Sequence, residues 1–533
     1  MMKKNRRLHC WCMIFLLVSV MTLGTTGSAM AQEPIKGGIL NAVLKAEPPH
    51  LVSALHTADP TQIISTKIHD GIINYDMEGN WQPALAESWE INPDTTEIKF
   101  NLRKGVKWHD GKDFTSEDVA FSIMLVKKHH PRGKVTFKEV ASVETPDPYT
   151  AVIKFNTPSP YVKRLLSSME TPMVAKHIYE NTDALTNPNN IAPIGTGPFK
   201  FVKWVRGSHI ILERNPNYWD KPKPYLDRIV FQIIPDHSAR SIALESGEID
   251  VGPINPVPLS DANRLLSMPH LVGDSTDNAF VSPFTRLEFN LENKYLKHRK
   301  VRQAIAHSID KQFILDNIWF GHGEIATSPV HVLLKPFYTA DVPNYDYNLD
   351  KANRLLDEAG FKKDAKGIRF KLNHDYLPLG SPYERTAEYL KQTLKKIGID
   401  ITIRGSDFPT YIRRVYTLRD FDFTNNMMYG TADPTAGLQR LYYSKNFIPG
   451  VPFSNGSGYS NPEMDRLLEA ARTDTKNRVK FWHDVQRLVV TDLPDYPLTY
   501  LFRTTIYNKR VKNLIIRSTG SFDNWADVYL DKK

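Results

Sequence analysis

Histidines are the side chains of this sequence most able to do chemistry. There are 17 of them, and imidazole groups bind metals and transfer protons near neutral pH. The tightest pair, His129 and His130, is adjacent in sequence, so the two rings cannot share one face of a helix or strand. Pro131 follows at once. We therefore expect this pair to mark a solvated helix end rather than a metal site.

Motifs of known enzyme classes are absent. The sequence has no G-x-S-x-G elbow, no H-E-x-x-H motif, no Walker A loop and no C-x-x-C pair. The glycine-rich string Ile194–Phe199 lacks the lysine and hydroxyl of a phosphate loop, and no strong helix pattern follows it. We expect it to be a structural turn. The sequence thus predicts no enzyme activity, no cofactor and no metal, although distant residues could still converge in a secreted hydrolase.

The elements that must position any site alternate between strand and helix patterns. An apolar strand pattern at 229–234 leads through Pro235-Asp236 into a helix at 239–245, which Ser246-Gly247 ends before a short strand at 248–251. This order predicts a crossover unit. From about Pro283 the alternation continues as an α/β lobe. Its elements are a strand at 287–290, helices at 301–305 and 349–356, a strand at 370–372, a helix at 383–397 closed by Gly398, and a strand at 399–403.

The most informative stretch runs from Leu85 to Asp118. Glu97–Leu102 alternates polar and apolar residues, the period of a half-buried strand. Thr115 or Ser116, followed by two acids, predicts a capped helix start. As a string this stretch, LAESWEINPDTTEIKFNLRKGVKWHDGKDFTSED, closely resembles the signature region of the dipeptide/oligopeptide/nickel family of bacterial extracytoplasmic solute-binding proteins, the receptors of ABC importers.

Further sequence motifs of the same family occur in this chain, in the same order as in the family. They are Ile194-Gly195-Thr196-Gly197-Pro198-Phe199, Arg214-Asn215-Pro216-Asn217-Tyr218-Trp219, Pro235-Asp236 and Gly247-Glu248-Ile249-Asp250. The resemblance implies an α/β, two-lobed periplasmic-binding-protein fold of the larger type, with mixed sheets, an extra subdomain in lobe I and two crossing hinge segments. We expect a signal peptide at 1–31, lobe I at 32–283, lobe II at 284–501 and a return to lobe I at 502–533. Such lobes close over a solute by hinge rotation.

The resemblance places binding chemistry between Phe421 and Tyr443, where a strand pattern ends in the turn Gly430–Pro434. In peptide-binding members the matching segment ends in Asp-x-x-Asp/Glu-Pro, and the first acid pairs with the α-ammonium of the peptide. Alignment on Asp433-Pro434 puts Gly430 at that position, so the anchor acid is missing. An ordinary strand and turn in the lobe core is the alternative. The candidate ligand-binding residues are His56, Thr57, Asn426, Met427, Tyr429, Gly430, Thr431 and Asp433.

Loss of the anchor acid bears on the ligand. A desolvated ammonium without a partner costs several kcal/mol. Either another acid substitutes, with Asp433 and Asp407 as the candidates, or the solute has no free α-amine. We expect a peptide or peptide-like solute, with a sugar or opine-like conjugate or a metal chelate as the alternative. A chaperone-like module that holds unfolded segments is a further alternative.

In the first lobe, the loop Leu55–Asp59 precedes a helix pattern at 62–69. The resemblance implies that this loop, with His56 and Thr57, faces the ligand cleft. A plain N-cap function for Thr57 or Asp59 is the competing interpretation.

The N-terminus predicts export. Lys3, Lys4, Arg6 and Arg7 form a basic region, an apolar run extends over 11–23, and Ala29-Met30-Ala31 is a small-residue cleavage site. The apolar run is shorter than the ~20 residues that a membrane helix needs. Both cysteines, Cys10 and Cys12, precede the cleavage site, so we expect a cysteine-free mature chain in the periplasm.

Charge and the family resemblance together define the expected partners. The formal charge is +9, and four of these positive charges lie in the first seven residues, which leaves +5 for the mature chain. The remaining bases are interspersed with acids and form no basic stripe, so nucleic acid is not an expected partner. The resemblance implies a solute, an inner-membrane ABC permease and its ATPase subunits. We expect a monomer.

Overall fold

The computed structural model describes residues 33–278 and 280–531, so the export segment predicted at 1–31 lies outside the described residues. The strands are β1 (Ile39–Leu44), β2 (Ile73–Tyr75), β3 (Trp81–Pro83), β4 (Ala86–Ile91), β5 (Glu97–Leu102), β6 (Val140–Asp147), β7 (Thr150–Phe155), β8 (Phe199–Val205), β9 (His209–Arg214), β10 (Arg228–Ile233), β11 (Val251–Gly252), β12 (Leu271–Asp274), β13 (Pro283–Phe289), β14 (Gly323–Ile325), β15 (Phe370–Tyr376), β16 (Ile399–Arg404), β17 (Phe423–Tyr429), β18 (Asp495–Leu501), β19 (Thr505–Asn508), β20 (Val511–Lys512) and β21 (Tyr529–Leu530).

Fifteen α-helices lie in the described part of the chain, with short 3₁₀ and π turns between or after them. The helices are α1 (Asp59–Ile68), α2 (Ser116–His129), α3 (Gly133–Thr136), α4 (Lys176–Tyr179), α5 (His237–Ser246), α6 (Leu259–Leu266), α7 (Arg299–His307), α8 (Lys311–Phe313), α9 (Leu349–Glu358), α10 (Ser381–Lys396), α11 (Phe408–Ile412), α12 (Pro434–Gly437), α13 (Gln439–Tyr442), α14 (Pro462–Thr473) and α15 (Arg478–Asp492).

The first lobe is built on a seven-stranded mixed sheet of order β12-β19-β11-β1-β10-β9-β8. β1 pairs in parallel with β10 on one side and with β11 on the other. α5 connects these two flanking strands, as the predicted crossover requires. The Asp236 carboxylate accepts a hydrogen bond from the Ala239 amide at 2.8 Å, and Gly247 ends the helix in the left-handed conformation (φ 77°).

A separate four-stranded sheet, β4-β5-β7-β6, forms the extra subdomain of the first lobe. β5 spans the predicted residues, and its side chains alternate between half-buried and buried. Thr115 is the N-cap of α2, and its amide donates to the Asp118 carboxylate at 3.0 Å. Asp118 also accepts from the Trp108 indole at 3.3 Å. The signature stretch is therefore a structural unit that ties a strand, a turn and a helix together.

The glycine-rich string near 195 is a turn packed on the C-terminal end of α1, as expected. A Cβ atom at Gly195 would lie 1.9 Å from the Ile68 carbonyl oxygen, so only glycine permits this approach. The Gly197 amide donates to the same carbonyl at 2.8 Å. His109 contacts the Gly197 carbonyl through Nε2 at 3.0 Å. The string thus holds the signature turn against α1.

The second lobe is built on a six-stranded mixed sheet of order β14-β18-β13-β17-β15-β16. All seven residues of β13 and all seven of β18 are buried, because helices cover both faces of the sheet. One apolar core, containing Leu287 and Phe289, lies on one face. A second core, containing Phe284 and Met428, lies on the other. The expected helices and strands of this lobe all form.

Two segments connect the lobes. The chain passes from β12 in the first sheet to β13 in the second, and returns from β18 to β19. Asp277 lies in the first crossing and accepts hydrogen bonds from the Thr505 and Ser521 hydroxyls at 2.6 and 2.5 Å. The first crossing is thus joined to the start of β19, where the second crossing ends. Residues from Ile35 onward form one contact unit, with the lobes packed together.

The histidine pair at the end of α2 differs in part from expectation. His129 is the last residue of the helix, but His130 is only 3% exposed. Its Nδ1 accepts a hydrogen bond from the Arg132 amide at 3.2 Å, and burial lowers the pKa of its imidazole to about 4. The prediction of a solvated pair is wrong for His130, because the chain turns back at Pro131 and covers it.

Candidate functional site

A small and a large cavity between the lobes are lined by residues of the first lobe and of the segment 421–443. The smaller one has a volume of about 130 Å³ and takes residues from the first lobe, from both crossing segments and from the end of β17. Its lining residues are Thr57, Asp59, Gln62, Arg132, Met169, Glu170, Phe280, Val281, Tyr429, Thr431 and Arg503. A space bounded by both lobes and both crossings is where closure of the lobes would enclose a solute.

Charges in the smaller cavity are paired. Asp59, the first residue of α1, forms an ion pair with Arg503, which lies in the second crossing. Arg132 pairs with Glu170, with Nε 3.0 Å from the carboxylate. Burial raises the pKa of the Tyr429 phenol between them. Each carboxylate already has a guanidinium partner, so this cavity offers no free acid to an ammonium group.

Of the two candidate residues in the first lobe, only one lines this cavity. Thr57 lines it, whereas the His56 ring packs edge-on against His50 at 5.3 Å and its Nδ1 accepts from the Ala58 amide at 3.0 Å. The N-cap of α1 is Ala58, which makes no side-chain cap, and Asp59 is already helical. The competing N-cap interpretation of Thr57 and Asp59 is therefore wrong, because the N-cap lies between them, at an alanine without a polar side chain.

The second-lobe candidates lie on β17 and the turn after it. Tyr429 and Thr431 line the smaller cavity. Met427 is half-buried and packs against the second-lobe core. Asn426 points into the lobe, where its amide accepts from Arg286 at 3.0 Å and donates to Glu288 at 2.8 Å. Only the end of the strand thus reaches the cleft, and the role of these residues in ligand binding stays a prediction.

Gly430 lies between two cavity residues and is itself buried. Its φ is outside the left-handed region, and a Cβ atom would lie 3.4 Å from Ser282 and 3.6 Å from Leu334. The position therefore does not require glycine for conformational reasons. The backbone conformation at position 430 is therefore compatible with a residue that carries a side chain, including an acid.

Neither acid proposed as a substitute anchor is available in this structure. Asp433 is fully buried, pairs with Arg478 at 2.8 Å and caps the Thr435 amide at 2.9 Å. Asp407 is exposed and caps α11 through the Thr410 amide at 2.8 Å. Neither residue lines a cavity between the lobes. Of the two alternatives that the sequence left open, a substitute acid or a solute without a free α-amine, this geometry favours the second.

The larger cavity between the lobes has a volume of about 720 Å³. One wall comes from the region of α3 and Tyr161 in the first lobe, and the other from α12, α13, α14 and the loop at 443–454. The residues that line it are Pro131, Lys134, Val135, Lys138, Glu139, Tyr161, Thr435, Ala436, Gln439, Arg440, Tyr443, Lys445, Asn446, Ile448, Val451, Pro452, Phe453, Ser454, Glu469 and Arg472. This volume is within the range of sites that hold small molecules.

Both acids of the larger cavity are already engaged by one arginine. Arg472 pairs with Glu139 across the lobes at 3.2 Å and with Glu469 at 3.1 Å on its own helix. Burial raises the pKa of the nearby Tyr161 phenol to about 12. At neutral pH the cavity therefore presents neutral hydroxyls, a closed ion-pair cluster and further cations.

The sequence located part of this site. The segment 421–443 singled out for binding contains Tyr429, Thr431 and Arg440, all of which line a cavity. The contributions of Arg132, Glu170, Arg503 and the 444–454 loop were missed. No local pattern marks them, because they meet only when the lobes pack together.

In residues 33–278 and 280–531, no helix combines the length and apolarity needed to cross a bilayer. The same part of the chain brings together no group of three or more histidines, cysteines or acids placed to hold a metal ion.

Comparisons with known proteins agree with this architecture. The model of the bacterial extracellular solute-binding proteins, family 5, matches residues 80–448. The oligopeptide-binding protein AppA of Bacillus subtilis is 28% identical over 91% of this chain and 89% of its own, and its structure with a nonapeptide superposes with a TM-score of 0.75. A putative ABC transporter peptide-binding protein of Brucella ovis is 31% identical over 81% of each chain. AgaA of A. tumefaciens R10, in complex with agropinic acid, is 27% identical over 93% of this chain and 99% of its own, with a TM-score of 0.73.

Proposed function

The chain belongs to the bacterial extracellular solute-binding proteins of family 5, and on that premise we propose that it binds a peptide or peptide-like solute for import by an ABC permease. The observation that carries the proposal is the 720 Å³ cavity lined from both lobes. A solute in that space would touch both lobes at once and so favour the closed form. The permease and its ATPase subunits are the proposed partners.

The chemistry of the larger cavity suits a solute of mixed character. Val135, Ile448 and Val451 are large apolar residues that remain 45–58% exposed around it, while Tyr161 and Gln439 offer polar groups. Exposed apolar side chains grouped around a cavity mark a binding surface. A short peptide presents the same combination of apolar side chains and polar main chain.

A carboxylate-bearing sugar or opine-like conjugate is the second candidate. It is favoured by Gly430 at the position of the missing anchor acid and by the ion pairing of every acid that lines these two cavities: Asp59 with Arg503, Glu170 with Arg132, and Glu139 and Glu469 with Arg472. AgaA, a relative of similar fold, was solved with agropinic acid. A secreted hydrolase is not favoured, since the catalytic motifs searched for are missing from the sequence.

Binding and closure can be tested together. An equimolar mixture of unmodified tri- to pentapeptides should raise the melting temperature in proportion to the logarithm of concentration over Kd, and small-angle scattering should show a smaller radius of gyration. Mass spectrometry should recover the peptides unchanged. Cleaved peptides would indicate a hydrolase instead, and unchanged melting at millimolar peptide would contradict the peptide proposal.

A steric variant connects the binding to the cavity. Ala436→Trp places a large ring on the wall of the 720 Å³ cavity and should abolish the melting shift. Ala365→Trp, at an exposed turn position outside both cavities, is the matched control and should leave it intact. Equal binding by both variants would place the solute elsewhere.

We further propose that the mature protein works in the periplasm as a monomer after removal of residues 1–31. The basic region, the apolar run and Ala29-Met30-Ala31 support export. N-terminal sequencing of periplasmic material should begin at Gln32 or within two residues of it, and a soluble form that retains Met1 would contradict the proposal.

A further inference from the structure

Arg440 is a cation without an acid in the wall of the larger cavity. Its Nε donates to the Gly437 carbonyl at 3.2 Å. No carboxylate of residues 33–278 or 280–531 lies within ion-pair distance of its guanidinium, whereas the neighbouring Arg472 has two acidic partners. A guanidinium has five N–H donors, so most of this group's hydrogen-bonding capacity is unused within the protein.

The surroundings make this arginine costly to leave unpaired. Burial, together with the positive charges of Arg132 and Arg286, lowers the pKa of Arg440 to about 10. The guanidinium nevertheless stays charged at neutral pH. The side chain is half-buried, and a partly desolvated cation without a counter-ion is destabilising. A ligand carboxylate would supply the missing charge through charge-assisted hydrogen bonds.

The lining of the larger cavity as a whole also carries an excess of positive charge. Its lining includes five bases, Lys134, Lys138, Arg440, Lys445 and Arg472, and only two acids, Glu139 and Glu469. Both acids are bound to Arg472. A solute ammonium would find no free acid there, whereas a carboxylate would find Arg440 with donors to spare.

We infer that Arg440 binds a carboxylate of the solute, so that the receptor holds its ligand by an anionic end rather than by an α-ammonium. The inference rests on the proposed function and deepens it, since it names the group that the cavity recognises. A peptide supplies this group at its C-terminus, and an opine supplies it on an amino acid–sugar conjugate. A fork-shaped guanidinium suits the two oxygens of either carboxylate.

The test compares four probes on one protein. They are a mixture of tri- to pentapeptides with free termini, the same mixture amidated at the C-terminus, the same mixture acetylated at the N-terminus, and an opine. For the wild type, amidation should weaken binding about 10- to 150-fold, the size of a hydrogen bond to a charged group. Acetylation should change it by less than about threefold.

Variants assign the effect to Arg440. Arg440→Gln should bind the free and amidated mixtures equally, and Arg440→Lys should recover part of the preference. Arg466→Gln, which removes an exposed arginine paired with Glu463 on α14, is the matched control and should keep the full preference. Circular dichroism and melting confirm that each variant is folded.

The outcomes separate the two proposals. Equal binding of free and amidated peptides by the wild type, or an amide penalty that survives in Arg440→Gln, overturns the role of Arg440 while peptide binding stands. If no peptide mixture binds but the opine binds to the wild type and not to Arg440→Gln, the peptide proposal fails and the carboxylate role is supported. If none of the four probes binds, both are overturned.

Discussion

At the scale of single residues, the cleft differs from a peptide site that anchors an α-ammonium. Asp433 forms an ion pair with Arg478, with 2.8 Å between its Oδ1 and the guanidinium Nη2. Asp59 and Glu170 are paired with Arg503 and Arg132, respectively. Charge pairs of this kind leave nothing for a ligand cation, because separating them would expose a desolvated charge. These ion pairs are the reason to expect a solute that is held by a group other than an α-ammonium.

Gly430→Asp tests that selection directly. The backbone at this position is not left-handed, and its nearest neighbours, Ser282 and Leu334, would be at ordinary contact distance from a Cβ atom, so we expect the variant to fold. A carboxylate beside Tyr429 and Thr431 should strengthen binding of peptides with a free α-amine by about 10- to 150-fold, measured by calorimetry.

N-acetylation of the peptides should remove that gain. Gly430→Ala is the control for the added Cβ atom and should leave affinity unchanged. If Gly430→Asp gains nothing although it melts like the wild type, the new carboxylate does not reach the solute and the alignment of this turn has no functional meaning.

At the scale of elements, adjacent strands of the second lobe share a buried charge network. Arg286 on β13 contacts Asp495 on β18 at 2.5 Å and Glu288 on its own strand at 2.8 Å, and all three side chains are at most 2% exposed. The hydroxyls of Tyr442 and Tyr416 donate to these acids at 2.9 and 3.1 Å. The network holds the central strands in register behind the cleft.

Arg286→Met should therefore destabilise the protein by about 3–5 kcal/mol, because it leaves two carboxylates buried without their partner. A lower midpoint of urea unfolding would show this. Arg487→Met removes a surface arginine whose partner Asp341 is 82% exposed, and it should cost about 1 kcal/mol or less. Similar midpoints for the two variants would mean that the network adds little.

At the scale of the whole molecule, buried histidines make the fold sensitive to acid. Burial lowers the imidazole pKa to about 3 or 4 at six positions spread over both lobes, against an ordinary value near 6.5. The six are His50, His69, His109, His130, His331 and His374. The unfolded chain binds more protons than the folded chain between those values, so this contribution to stability is lost as the pH falls from 6.5.

Five carboxylates oppose the trend. Burial raises the pKa of Asp70 and Asp277 to about 6 and also raises the pKa of Asp118, Asp375 and Asp495, which favours the folded state as the pH falls. Because the six strongly shifted imidazoles outnumber these five carboxylates, we expect the melting temperature to drop between pH 7 and pH 4.5. A melting temperature that is constant or rising over this range would contradict the assignment.

A single variant can isolate one histidine. His374 is fully buried and stacks on the Phe423 ring at 4.2 Å, so His374→Phe keeps the packing and removes the titrating group. The acid branch of the melting curve should become shallower. His237→Gln, at an exposed position on α5, is the control and should leave the curve as in the wild type.

The local secondary structure could be predicted from the sequence alone. The strand Glu97–Leu102, the cap at Thr115, the helix ended by Gly247 and the alternation of the second lobe all form as expected. Each depends on hydrophobic period, capping or turn chemistry within a few residues. The motifs shared with the family then predicted the two-lobed fold and the position of the turn after β17.

Only the tertiary structure decided which charges of the cleft are paired. Asp433 became unavailable because Arg478 packs on it from 45 residues away in the chain, and Arg440 became an unpaired cation because packing of the lobes brings no acid to it. Whether a charge is free or satisfied is settled by neighbours that are distant in sequence, and electrostatic energies depend on those distances and on burial. No local pattern in the sequence contains either quantity.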